Sequence, residues 1–106
     1  MTHKLLASGQ LGTSTGGAIY SPSGVEGYVK VIMLHNTNTS AETVNLYVIE
    51  TGTPDSSNQF LKINLAPDES INWQFSYMMI VPDGETLNGD TDTASKVNYH
   101  IYGAEE

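Results

Sequence analysis

Residues 96–103 read Lys-Val-Asn-Tyr-His-Ile-Tyr-Gly, and this stretch decides the fold. Three of its apolar side chains, Val97, Tyr99 and Ile101, occupy every second position. Because successive side chains of a β-strand point to opposite faces of a sheet, this spacing predicts a strand with one apolar face. A helix would instead need apolar residues three and four positions apart, and no stretch of the chain sustains that pattern.

The same alternation recurs in three other stretches, at residues 43–50, 59–66 and 69–75. Two more stretches, 27–36 and 77–81, are apolar on both faces. Strands of that kind are covered on both sides. The second cover can come from a loop, from the N-terminal segment or from another subunit.

Shorter segments and turns complete the prediction of an all-β domain. Residues 18–21 predict a short strand, and Leu5–Ser8 predicts either a strand or part of an arm. Turn residues (Pro, Gly, Asn and Asp) separate the strands at intervals typical of a sandwich. We therefore expect an antiparallel β-sandwich of about seven to eight short strands, either jelly-roll or immunoglobulin-like.

The N-terminal part differs in composition from the rest. Residues 8–17 are rich in Gly, Ser and Thr, which is typical of a flexible connector. The expected organisation is an N-terminal arm and linker over residues 1–17, followed by one sandwich domain over residues 18–106. A chain of 106 residues has the size of one domain.

The charge excludes two classes of partner. Twelve acidic residues face four lysines and no arginine, and the formal charge is −8. Neither nucleic acid nor an anionic membrane is an expected partner, because both require a basic surface. The acidity favours solubility or a basic partner surface. The chain has no cysteine, which excludes disulfides and thiolate zinc sites and fits synthesis in the cytoplasm. The first residues lack the apolar stretch of a signal peptide.

No catalytic pattern is present in the sequence. The three histidines lack metal-site spacing, and the Gly-rich stretch lacks the Lys-Ser/Thr of a phosphate-binding loop. We therefore expect no catalytic residue, no cofactor and no enzyme activity. The acidic stretch 83–92 supplies weak calcium candidates in Asp83, Asp90 and Asp92, although solvated turn residues are the simpler interpretation.

Contact residues are the remaining candidates for function. Trp73 shares a strand face with Ile71 and Phe75, which favours a place in the core. Tyr47 and Tyr102 are expected on the opposite faces of their strands, where tyrosine suits protein or sugar contacts. The full set of interface candidates is Leu5, Leu6, Leu11, Tyr28, Tyr47, Met78 and Tyr102.

Strand and turn residues along nearly the whole chain form a recognisable pattern. It includes Tyr-Val-Lys-x-Ile-x-Leu-x-Asn-Thr at residues 28–37, Leu-Ala-Pro-Asp-Glu-Ser at 65–70 and Val-Pro-Asp-Gly-Glu-Thr-Leu at 81–87. This pattern resembles the small β-sandwich virion proteins encoded among the structural genes of tailed bacteriophages. The chain has Gly84-Glu85 where that family usually has Gly-Asp, which keeps both the turn and the acid.

The resemblance implies a non-enzymatic structural protein of the virion, made in the host cytoplasm. Such proteins decorate capsids or build tail and fibre parts, and they commonly act as symmetric oligomers, often trimers. The implied partners are other copies of the chain and the major capsid protein or another virion protein. A capsid decoration or cement protein is favoured over a tail or fibre component, because no collagen-like, coiled-coil or receptor-binding extension is present. A carbohydrate-binding module is the alternative of another class, suggested by Tyr47, Tyr102 and the acidic stretch.

Overall fold

The computed structural model describes residues 2–13 and 17–106, and these residues form eight β-strands. None of them lies in a helix long and apolar enough to cross a membrane. The strands are β1 Lys4–Gln10, β2 Gly17–Tyr20, β3 Gly27–Asn36, β4 Glu42–Ile49, β5 Gln59–Leu65, β6 Ser70–Val81, β7 Thr86–Asp90 and β8 Val97–Glu105.

The strands form two antiparallel sheets of four, which pack together as a sandwich. Sheet 1 has the order β1-β8-β3-β6, and sheet 2 has the order β2-β7-β4-β5. The strands therefore pair as β1 with β8, β2 with β7, β3 with β6 and β4 with β5. This nested pairing of eight strands over two sheets is the jelly roll. The predicted all-β sandwich is confirmed, and the strand order decides for the jelly roll over the immunoglobulin-like arrangement.

β1 lies inside the region that the sequence assigned to an arm. It pairs with β8 from Lys4, opposite Gly103, to Gln10, opposite Asn98. After β1, Leu11 is buried, and its N–H donates to the carbonyl oxygen of Val97. Residues 4–11 thus belong to the sandwich, which corrects the boundary expected at residue 17. The physical reason is that Leu6, Ala7 and Leu11 bury apolar surface against the core, which holds this segment on the sandwich. Residues 14–16 of the expected connector lie outside the described residues.

β6 is one strand where the sequence predicted two. Its register with β3 shifts, because Met79 lies opposite Val29 whereas Gln74 lies opposite Val31. Residues 75–78 therefore bulge opposite Lys30, whose ammonium donates to the carbonyl oxygen of Phe75 at 3.0 Å. A bulge of this kind disrupts the alternation without ending the strand.

β7 was not predicted, because it lies in the acidic stretch that was interpreted as turn residues. Its Leu87 is fully buried, and Asn88 and Asp90 are buried as well. Gly89 lets the strand approach its neighbours closely, since a Cβ there would lie 2.9 Å from Leu46. Polar and glycine residues thus occupy positions that usually show the apolar alternation.

The core lies between the two sheets and consists of their inward side chains. Its fully buried members come from strands of both sheets: Val29, Ile32, Leu34, Val44, Leu46, Leu65, Val81, Leu87, Val97 and Ile101. Removing apolar surface from water contributes about 25 cal/mol per Å², so the burial of these side chains is the main stabilising contribution to the fold.

A buried polar cluster holds the connection between β3 and β4. The Asn36 amide nitrogen donates to the carbonyl oxygens of Leu65 and Ala66. The buried Glu42 carboxylate accepts hydrogen bonds from the Asn38 amide and from the backbone N–H of Thr93. Burial alone would raise the pKa of Glu42, but these hydrogen bonds favour the ionised form more strongly, so its pKa is lowered from the usual 4.5.

Gly103→Ala tests the close approach of β8 to β3. A Cβ at this position would lie 1.8 Å from the carbonyl oxygen of Tyr28, which is backbone and cannot move aside. We expect a loss of about 3 kcal/mol or more in the free energy of unfolding, measured by urea denaturation. Gly12→Ala is the control, because, its two chain neighbours aside, no atom of residues 2–13 and 17–106 lies within 4 Å of a Cβ there. Equal stabilities of the two variants would contradict this account of the sheet.

Glu42→Gln tests the buried carboxylate. The amide cannot accept both hydrogen bonds as a carboxylate does, so we expect a loss of about 1–3 kcal/mol at pH 7. Because the pKa of Glu42 is lowered in the folded state, its stabilisation is complete above pH 4.5 and is lost as the pH falls through the lower folded value. The stability difference between wild type and variant should therefore shrink in acid. A difference that is constant from pH 7 to pH 3 would be inconsistent with this assignment.

Candidate functional site

The exposed apolar side chains are concentrated on one of the two sheets. Seven large hydrophobic residues are exposed in the described part of the chain, and six of them lie in strands of sheet 1. The six are Leu5, Met33, Trp73, Tyr77, Ile80 and Tyr102, and the seventh is Phe60 of sheet 2. This asymmetry is the main structural indication of function.

Sheet 1 is also nearly free of carboxylates. Only Glu105, at the end of β8, is acidic among its strands, although the chain has twelve acidic residues. Its basic residues are Lys4, Lys30, His35 and His100. The Lys4 Nζ forms an ion pair with the Glu105 Oε1 at 2.8 Å. The surfaces that proteins use for contact are depleted in charge and enriched in aromatic residues and methionine, as this sheet is.

The strand register shows which side chains share the outer face of sheet 1. Tyr102 lies between Leu5 on β1 and Val31 on β3. His100 lies beside Met33, which in turn lies beside Asn72 on β6. These neighbours form adjacent rows across four strands, so the outer face is continuous.

A shallow depression lies on this face. It has a volume of about 190 Å³ and is lined by Met33, Leu34, His35, Ser70, Asn72 and His100. Its polar groups are partly engaged, since the His35 Nδ1 and the Ser70 Oγ share a hydrogen bond of 2.6 Å. Pockets for small molecules usually measure about 300–1,000 Å³. The depression is below that range, so the face is better suited to a broad contact than to enclosing a ligand.

The bulge of β6 presents the most exposed aromatic residue. Tyr77 is 89% exposed, and Ile80 nearby is 52% exposed. Rigid aromatic side chains that protrude in this way commonly anchor protein contacts. Sequence reasoning missed Tyr77, Ile80 and Met33 as exposed residues, although the double apolarity of stretches 27–36 and 77–81 signalled a cover from elsewhere.

Four predicted interface residues lie at or beside this face, and a fifth packs on the core. Leu5 and Tyr102 are exposed, whereas Tyr28 and Met78 are half-buried. The Tyr28 hydroxyl donates to the Glu26 carboxylate, and this hydrogen bond is the main reason why the pKa of Tyr28 is raised. Leu6 is half-buried and packs against the core.

Two predicted interface residues, Leu11 and Tyr47, are corrected by the structure. Leu11 is 1% exposed and belongs to the core, because the chain turns between the sheets after β1. Tyr47 is 7% exposed, and burial followed by the nearby Asp90 carboxylate raises its pKa. Alternation indicated the side of β4 on which Tyr47 lies, but it did not show that this side is covered.

The prediction that Trp73 is buried in the core is also corrected, since this residue is more exposed than expected. Its cross-strand neighbour Ile32 is fully buried, so Trp73 lies on the core-facing side of β6 as predicted. It is nevertheless 37% exposed, because β6 is the edge strand and the sandwich is open beside it.

Each of the three calcium candidates accepts a hydrogen bond from a neighbouring segment of the fold. Asp83 accepts a hydrogen bond from the N–H of Gly24, and Asp90 accepts one from the amide of Asn45. Asp92 accepts one from the N–H of Thr43. In residues 2–13 and 17–106, no three His, Cys, Asp or Glu side chains are grouped so that they could hold a metal ion.

Comparisons with protein-family models, with curated proteins and with solved structures find no match for this chain. The placement of its own side chains therefore carries the functional argument. That placement defines a candidate contact surface on the outer face of sheet 1.

Substitutions at the contact surface and in the core should differ in how much they lower the free energy of unfolding. We expect Tyr102→Ser to change the free energy of unfolding by less than about 1 kcal/mol, because the side chain is exposed. Leu11→Ala should cost about 2–5 kcal/mol, because it leaves a cavity in the core. Urea denaturation measures both. A costly Tyr102→Ser together with a neutral Leu11→Ala would reverse the assignment of surface and core.

Proposed function

We propose that this chain is a non-enzymatic structural protein of a tailed-bacteriophage virion, in which it decorates or cements the capsid. The observation that carries the proposal is the concentration of exposed apolar residues on sheet 1, which has six of the seven in the described chain, five of them besides the core-facing Trp73. Sheet 1 combines these exposed apolar residues with a single acidic residue, Glu105, and such a surface is suited to contact with another protein.

The fold is compatible with this role. Eight-stranded jelly rolls occur in viral capsid proteins and in lectins, so the fold alone does not choose between them. The resemblance to phage virion proteins rests on strands and turns, including the turn at Pro82–Glu85, where the N–H of Glu85 donates to the carbonyl oxygen of Pro82. That resemblance favours the virion.

The proposed partner of the outer face is the major capsid protein. The face is broad and shallow, with tyrosine, methionine and few charges, which suits a flat protein surface. Acidic residues lie mostly in the loops outside the strands and keep the rest of the molecule solvated. Many copies on one particle bind together with avidity, so each single contact can be weak.

Two of the three features that suggested a carbohydrate-binding module are not available for sugar binding. Tyr47 is buried, and part of the acidic stretch forms β7 instead of an open loop. Tyr102 alone remains as an exposed aromatic residue of the original argument. Tyr77 and Trp73 are also exposed aromatic residues of sheet 1, so aromatic exposure does not separate the two roles, and the resemblance to virion proteins is what favours the capsid.

Immunogold electron microscopy of phage particles tests the role and its location. We expect gold label on the heads of phage particles whose genome encodes this chain. Label on the tail would move the protein to a tail or fibre role, and particles without label would overturn the proposal.

A pair of variants tests the contact surface. Tyr102→Asp places a carboxylate on the outer face, so we expect its binding to purified capsids in co-sedimentation to be weakened about tenfold or more. Asn64→Asp is the matched control, because Asn64 is an exposed residue of β5 on sheet 2. Equal binding of the two variants would exclude the outer face of sheet 1 as the capsid contact.

A further inference from the structure

β6 is an edge strand whose only protection against pairing is the bulge at residues 75–78. No strand of the described chain pairs with its second side. Its twelve residues, Ser70–Val81, include no charged residue and no proline. Natural proteins usually place such residues on exposed edges, because an edge strand is a template for another strand.

The other three edge strands differ from β6. β1 carries Lys4, β5 carries the exposed Lys62 at its centre, and β2 is only four residues long. The bulge at residues 75–78 distorts one half of β6, but Ser70–Gln74 keeps a regular register with β3. This regular half is the part of the edge that can accept a partner strand.

The side chains of this half divide sharply between its two faces. Ile71 and Trp73 lie on the core-facing side, opposite the buried Leu34 and Ile32. Ser70, Asn72 and Gln74 lie on the outer side. Trp73 remains partly uncovered at the open edge of the sandwich, so a strand added there would bury more of it.

We propose that β6 pairs with β6 of a second copy, antiparallel, about a two-fold axis at Asn72. Directly opposite residues in an antiparallel pair share one face of the sheet. In this register Ile71 lies opposite Trp73 of the other copy on the core-facing side. Ser70 lies opposite Gln74, and Asn72 lies opposite itself, on the outer side. The pattern is thus self-complementary, apolar against apolar and polar against polar, and the two copies share one eight-stranded sheet.

The net charge of the chain opposes self-association, because two chains of charge −8 repel each other. β6 has no carboxylate, so the repulsion between two copies that meet at this edge is not made worse by like charges within the contact. The contact itself contains no ion pair, so added salt should strengthen it by screening the overall repulsion. This salt dependence is opposite to that of a contact made by charged pairs.

The size of the contact predicts a weak dimer. Five paired residues span about 17 Å of strand, which falls short of the contact area of a stable permanent dimer. The inference goes beyond the proposed function and does not depend on it. On a particle with many copies, such weak contacts add together.

Single-cysteine cross-linking reads out the register, and the absence of native cysteines makes it clean. In the proposed pairing, Asn72→Cys places two thiols directly opposite each other, at a spacing that a disulfide can bridge. We expect mild oxidation to give covalent dimers at least tenfold faster than for Asn64→Cys, the control on sheet 2. Ser70→Cys alone should not cross-link, whereas a mixture of Ser70→Cys and Gln74→Cys should form the mixed dimer.

Sedimentation equilibrium of the cysteine-free protein provides the second measurement. We expect a monomer–dimer equilibrium that tightens between 20 mM and 300 mM salt. Asn72→Asp should weaken it about tenfold or more, because two carboxylates then lie opposite each other. Asn64→Asp should leave it unchanged.

A trimer, a strict monomer at millimolar concentration, or equal cross-linking of Asn72→Cys and Asn64→Cys would overturn the inference. These outcomes are separate from those of the particle experiment. Unlabelled phage particles together with specific Asn72→Cys dimers would refute the virion role and leave the β6 pairing intact.

Discussion

The pairing of β8 with β3 is the contact on which the rest of the structure depends. It runs from Gly27 opposite Glu105 to Asn36 opposite Val97, at the centre of sheet 1. The two strands approach so closely that residue 103 must be glycine. β1 and β6 add to the two free sides of this pair, and its inward side chains, such as Ile32 and Ile101, form the floor of the core.

The arrangement gives the two sheets different surfaces. Sheet 1 carries most of the exposed apolar residues, and Glu105 is the only acidic residue in its strands. The acidic residues lie mainly in the loops, and three of them, Asp83, Asp90 and Asp92, accept hydrogen bonds that hold neighbouring segments. The molecule thus has charge in the loops that meet water and an apolar face available for contact, and this difference is the physical basis of the proposed structural role.

Sequence reasoning located most strands because alternation is a local property of the chain. The bounds expected for β3 agree with the structure, and those for β4, β5 and β8 differ only at their ends. It missed β7, where Gly89 and buried polar residues replace the apolar alternation, and it divided β6 at a bulge. Both failures have one cause. The alternation of apolar and polar residues is lost in these segments, because hydrogen bonds and packing with strands remote in sequence hold them in place.

The sequence by itself determined that the chain is all-β and, in the four stretches that alternate, on which side of the strand each residue lies. Only the tertiary structure decided which of those sides are covered. Tyr47 lies on the outward side of β4 and is buried, whereas Trp73 lies on the core-facing side of β6 and is partly exposed. The physical reason is that alternation reports the direction of a side chain, while burial depends on strands that are remote in sequence and on whether a strand lies at the edge of its sheet.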